Sequence, residues 1–89
     1  MNNTPMPTSA ELESAVLKAL ESNGGSATNA EIYQWVIINL KISQSQLDVM
    51  RSGNRSEIEY RLAWARTRAS KQGLIYRNGP SSWSLTAKK

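Results

Sequence analysis

The sequence predicts a mainly α-helical domain closed by a small β-hairpin. Three observations predict it. Apolar residues recur at helical spacing in three stretches, two short β-prone segments flank a Gly-Pro turn near the C-terminus, and 39% apolar residues in a chain of 89 supply one small core and no more.

The elements follow in chain order. Residues 1–8 (MNNTPMPT) hold two prolines and little to bury, and read as a disordered leader. Ser9 is the expected cap of the first helix, with Leu12 rather than an acid three residues on. Leu12, Ala15, Val16, Ala19 and Leu20 then share one helical face, and Asn23-Gly24-Gly25 closes the helix. Residues 25–28 (GSAT) suit a brief extended stretch. Thr28 with Glu31 forms a capping box for a second helix, from Asn29 to about Leu40, with Ile32, Val36 and Leu40 as its buried stripe. Tyr33 and Ile37 on one flank, and Trp35 and Ile38 on the other, widen that stripe, so either a neighbouring segment or a partner must cover the excess.

Residues 41–55 are polar with scattered apolar positions; Ser43 or Ser45 caps one short helix through Met50, and Ser52-Gly53-Asn54 is a break. The third long helix runs from about Ser56 to Gln72, with Gly73 stopping it and Ile58, Leu62, Ala65 and Ala69 as its core stripe. Leu74 to Arg77 is a first strand, Asn78-Gly79-Pro80-Ser81 a turn, and Trp83 to Thr86 a second strand with Trp83 and Leu85 on one face. Lys88 and Lys89 form a frayed tail, so the domain proper is expected over residues 9–87. Three main helices, a short insert helix and a two-stranded wing, in this order, make a winged helix-turn-helix.

Composition narrows the function. The chain has no Cys and no His, which removes the usual general base, the Ser-His and Cys-His dyads and most zinc sites. The expectation is a protein that is not an enzyme and uses neither cofactor nor metal. The longest purely apolar run, Trp35 to Ile38, is far short of the roughly 20 residues a membrane span needs. Residues 1–10 lack the basic and apolar blocks of a signal peptide, so the expected location is cytoplasmic, at the nucleoid if DNA is bound.

Charge is divided along the chain. Residues 1–50 carry two basic against five acidic side chains, and residues 51–89 carry nine against two. A net +7 over the last 39 residues points to a polyanion, and the third helix and hairpin point to double-stranded DNA. On that helix Ser56, Tyr60, Ala63, Thr67 and Lys71 lie opposite the core stripe at 100° per residue, a mostly small or polar face suited to a major groove. Ala63 and Thr67 fit a thymine methyl, and Tyr60 and Ser56 a phosphate or base. Arg55, Arg66, Arg68 and Lys71 ring the helix as phosphate contacts. Arg77, Asn78 and Ser81 sit at the expected wing tip and reach the backbone or minor groove. Arg61, beside the core stripe, pairs with Glu57 one turn earlier. Trp64 is expected to pack between this helix and the hairpin, and Trp83 to fill the core. Trp35 stands open between core and subunit interface. The alternative function is protein interaction or homodimerisation through Trp35, Ile37 and Ile38.

Residues 61–86 resemble a known family. Arg61-Leu62-Ala63-Trp64-Ala65-Arg66-Thr67, then Lys71-Gln72-Gly73-Leu74, then Trp83-Ser84-Leu85-Thr86 are similar to the R-x-x-W-A-R-T, K-x-G-L and W-x-L-T segments of the N-terminal winged-helix domain of Mrr-type restriction proteins. The resemblance extends more loosely over residues 10–87. It implies a DNA-binding domain that directs a nuclease to foreign or modified DNA. These 89 residues contain no P-D…(D/E)-x-K constellation, and no Asp after Asp48. They therefore correspond to a recognition domain of a larger nuclease, a stand-alone relative, or a homologue with another task.

Overall fold

The structure, a computed structural model, describes residues 6–53 and 55–86, and of Ser52 only the backbone. The expected tail and most of the expected leader lie outside the described residues. The element order is α1 (Ser9–Ser22), β1 (Ser26–Thr28), α2 (Asn29–Asn39), α3 (Gln44–Leu47), β2 (Met50–Ser52), β3 (Arg55–Ser56), α4 (Glu57–Lys71), β4 (Ile75–Gly79) and β5 (Ser82–Leu85). The predicted winged helix is present: helices α1, α2 and α4 enclose the core, and β4–β5 form the wing.

Each helix starts on a capping box, because its Ser or Thr has Glu or Gln three residues later. Two of these starts differ from expectation. Thr8, not Ser9, caps α1: its hydroxyl accepts from the Glu11 N–H at 3.1 Å, and its own N–H donates to the Glu11 carboxylate at 2.8 Å. Ser9 has Leu12 at the reciprocal position, and Leu12 is buried in the core. Ser56 is a cap rather than a helical residue, exchanging the same pair of bonds with Glu59.

The long helices also end alike. Gly25, Ile42 and Leu74 donate back to the carbonyls of Leu20, Ile37 and Ala69 at 2.7, 3.0 and 3.0 Å, which satisfies carbonyls that the helix leaves open. The residue before each must turn left-handed. Gly73 does so at φ 80°, where a Cβ is disfavoured, and Lys41 does so at φ 55° at a cost of roughly 1–2 kcal/mol.

The insert departs from the prediction. Its helix stops at Leu47 rather than Met50. Met50–Ser52 and Arg55–Ser56 pair antiparallel around the expected break, with Met50 opposite Ser56 and Ser52 opposite Arg55. This small hairpin delivers the chain to the cap of α4, and the Glu57 N–H donates to the Val49 carbonyl at 2.8 Å.

The core is continuous. Leu12, Ala15, Val16, Ala19 and Leu20 of α1, Ile32 and Val36 of α2, and Leu62, Ala65 and Ala69 of α4 are buried together with Ala27 and Ile75 from the sheet. Each fully buried Leu, Ile or Val contributes about 1.5–3 kcal/mol. α4 packs most extensively on α1. At the edge of that contact Arg68 Nε donates to the Glu13 carboxylate, which also accepts from Gln72 Nε2 at 3.3 Å. The ion pair holds the Glu13 carboxyl below its ordinary value of 4.5, chiefly through the Arg68 hydrogen bond.

The sheet has the antiparallel order β1-β5-β4. Central β5 sets Trp83 between Ala27 and Arg77. Trp83 and Leu85 lean on the core as predicted. Trp83 is half-buried rather than enclosed, and its indole N–H donates to Asn29 Oδ1 at 2.9 Å. The Asn29 N–H donates to the Ser81 carbonyl at 2.7 Å, so the wing turn is tied to the first residue of α2. Among the described residues, no helix is long and apolar enough to cross a membrane.

Two outcomes follow from this packing. Leu62→Ala, at a fully buried position, is expected to lower unfolding free energy by about 2–5 kcal/mol, read as an earlier urea midpoint. Because the folded Glu13 carboxyl is more acidic than the unfolded one, its contribution is complete above pH 4.5 and disappears as pH falls through the lowered folded value. The stability gap between wild type and Glu13→Gln is therefore expected to close on acidification in urea melts. A gap that is constant with pH would remove the ion pair as its source.

Candidate nucleic-acid interface

Burial of Ile58, Leu62, Ala65 and Ala69 turns the opposite side of α4 outward. Tyr60, Ala63, Trp64, Thr67 and Lys71 follow one another along that side. Tyr60, Ala63 and Thr67 are half-buried, and Lys71 is exposed with no ion-pair partner among the described residues. The Thr67 hydroxyl donates to the Ala63 carbonyl at 3.0 Å, which spends its proton within the helix and leaves its oxygen able to accept. Arg55, Tyr60, Ala63, Trp64 and Thr67 line a shallow depression of about 150 Å³.

Trp64 corrects an expectation. It does not fill the space between α4 and the hairpin. It is 47% exposed, beside Tyr60, and borders a second hollow with Pro7, Leu12 and Arg68 on the α1 side. The helical wheel carries the reason: Trp64 lies about 240° from Ile58, well outside the core stripe, and the residue type alone suggested burial.

Ser56 is also placed differently. As the buried cap of α4, 8% exposed, it spends its hydroxyl on the Glu59 N–H and is turned away from the outward face. Arg68 is joined to Glu13, so its guanidinium has an internal partner. Arg61 pairs with Glu57 at 2.6 Å, as its spacing predicts. Glu57 is itself buried and takes a second cation, Arg51, at 3.5 Å. Arg51 then lies 4.0 Å over the Tyr60 ring, with Arg55 at 5.9 Å from the same ring. This stacking fixes the Tyr60 ring and was not found in the sequence, because it depends on the β2–β3 hairpin returning the chain to α4.

On the wing, Arg77 and Asn78 belong to β4, and the tip is Pro80-Ser81. Asn78 donates to the Ser84 hydroxyl. Arg77 crosses the Trp83 ring at 5.7 Å and donates to the Pro80 carbonyl at 2.8 Å, which stiffens the turn. Its side chain remains exposed.

Arg66 stands in a cleft between α2 and α4, lined by Asn29, Ala30, Tyr33, Arg55, Glu59 and Leu62, with a volume of about 370 Å³. Burial, and then the positive charges of Arg55 and Arg77, push its guanidinium below the ordinary arginine value. Its Nε is buried and without a hydrogen-bond partner, a state found for no other side-chain polar atom among the described residues. Across the cleft, burial raises Tyr33 and the Glu59 charge adds to it, while a hydrogen bond with Ser56 opposes them. Among the described residues there is no cluster of three or more acidic side chains suited to a metal ion. The arrangement offers cations, hydroxyls and aromatic faces, which are means of binding an anionic polymer.

Comparison with known proteins agrees with the motif reading. The family model described as the Mrr N-terminal domain matches residues 10–88. No curated protein and no solved structure matches the chain.

Proposed function

The chain belongs to the Mrr N-terminal domain family, and from that membership we propose that it is a double-stranded DNA-binding module rather than an enzyme, acting as the recognition domain of a Mrr-type restriction system in the cytoplasm or at the nucleoid. The domain proper is residues 9–87. α4 enters the major groove, with Tyr60, Ala63 and Thr67 toward base edges and Trp64 against one groove wall. Arg55, Arg66 and Lys71 meet phosphates, and Arg77 and Asn78 bring the wing to the flanking backbone. Arg68 adds positive potential at the groove edge while remaining tied to Glu13.

The observation that carries this reading is the outward face of α4. Among the described residues no other element covers it, the short Ala63 and Thr67 lie at its middle between Tyr60 and Trp64, and Arg55 and Lys71 stand on it. Ser56 has no direct base contact in this reading, because its hydroxyl serves the cap.

A second reading rests on Ile38, 67% exposed on α2. With Ile37 and Trp35 it forms an apolar face for a homodimer, which brings two α4 helices to two half-sites. Sedimentation of wild type and Ile38→Glu separates the two readings, since DNA binding by a monomer needs no such face.

Fluorescence anisotropy with short duplexes tests the main reading. Wild-type affinity is expected to fall linearly with log salt. Lys71→Gln is expected to reduce that slope by about 0.9 with no change in sequence preference. Thr67→Ala and Tyr60→Ala are expected to keep the slope and reduce discrimination between sites by about 1–3 kcal/mol. Absence of binding to every duplex at low salt would sink the proposal.

A further inference from the structure

Two arginines line the cleft between α2 and α4, and a third stands near it on the wing. Arg66 comes from the middle of α4 and Arg55 from β3, and both line the cleft. Arg77 comes from the wing. It does not line the cleft: it lies over Trp83, whose indole is bonded to Asn29 on the cleft wall, donates to the Pro80 carbonyl, and is close enough for its charge to act on Arg66. None of the three has an ion-pair partner among the described residues. Among the described residues the one acid lining the cleft, Glu59, accepts the Ser56 N–H at 3.3 Å in its cap.

Crowded guanidinium groups are unfavourable, and they remain so until an acceptor-rich anion arrives. The first turn of α2, the positive end of its helix dipole, forms part of the same wall.

We propose that this cleft is a seat for a single phosphate group, held by the Arg66 and Arg55 guanidinium groups that line it, with Arg77 reaching in from the wing. A phosphate matches the site because its several oxygens accept from several guanidinium forks at once. The assignment of that phosphate to a duplex backbone rests on the DNA-binding reading above. Occupancy joins the wing to α4 through one anion. The two DNA-contacting elements then hold a fixed separation, and the seat sets the register of the domain on the duplex without reading sequence.

The test follows the arginine Nε–H signals of the full chain by NMR, with inorganic phosphate and with a short duplex titrated separately. The Arg66 signal is expected to shift saturably in both. Arg77→Gln, an exposed change that leaves the core intact, is expected to weaken the inorganic phosphate response, to reduce the duplex salt slope by about 0.9, and to weaken duplex affinity about tenfold. If the duplex binds by anisotropy while the Arg66 signal stays still, the seat is wrong and the DNA reading stands. If phosphate shifts Arg66 but no duplex binds, the seat stands and the DNA reading falls. A shift with polyglutamate but not with phosphate overturns the ligand assignment.

Discussion

The packing of α4 on α1 is the contact from which the rest of the molecule takes its arrangement. Both faces carry alanines, Ala15 and Ala19 on α1 and Ala65 and Ala69 on α4, all buried among larger neighbours such as Leu12 and Leu62. A dense interior tolerates neither voids nor extra methylenes, so this pattern of small and large side chains selects the rotation of α4 about its axis. Glu13 and Arg68 reinforce that rotation from the rim. Once the apolar stripe is buried, the side bearing Tyr60, Ala63 and Thr67 has nowhere to go but outward.

The second constraint is how chain ends are satisfied. Four capping boxes and three back-bonded C-termini let short helices start and stop sharply, which a domain of this size requires. The same economy joins function to fold. Asn29 receives the wing through the Ser81 carbonyl and the Trp83 indole. Ser56 ends a hairpin and begins α4 in one residue, and that junction brings Arg51 and Arg55 to the Tyr60 ring.

The arginines divide into two groups for a physical reason. Arg51 and Arg61 share the buried Glu57, and Arg68 holds Glu13; the Arg51 pair ties β2 to α4 and the Arg68 pair ties α4 to α1, while Arg61 braces one turn of α4. Arg55, Arg66 and Arg77 have no carboxylate partner among the described residues, and Arg66 is depressed by burial first and by the charges of Arg55 and Arg77 second. A fold does not assemble a surplus of like charge for stability's sake. Their positive charge, gathered at and beside one cleft, is the part of the molecule that no carboxylate pair neutralises among the described residues, and it is what the proposed anion would offset.

Most of the architecture was legible in the sequence by itself. Helical periodicity identified the buried face of every long helix, because burial and spacing are the same fact seen twice. Thr28-x-x-Glu31 marked one helix start and Ser43 was one of two candidate caps for another, while Thr8-x-x-Glu11 and Ser56-x-x-Glu59 carry the same spacing at starts expected one residue away. The motifs in residues 61–86 identified the family. Tertiary structure alone decided which cations are free. Arg68 meets Glu13 across 55 residues, and Arg77 approaches Arg66 only when the wing folds back on α2. Local pattern determines which way a side chain points from its own helix. What it meets there depends on segments distant in sequence, and those meet only when the whole core closes.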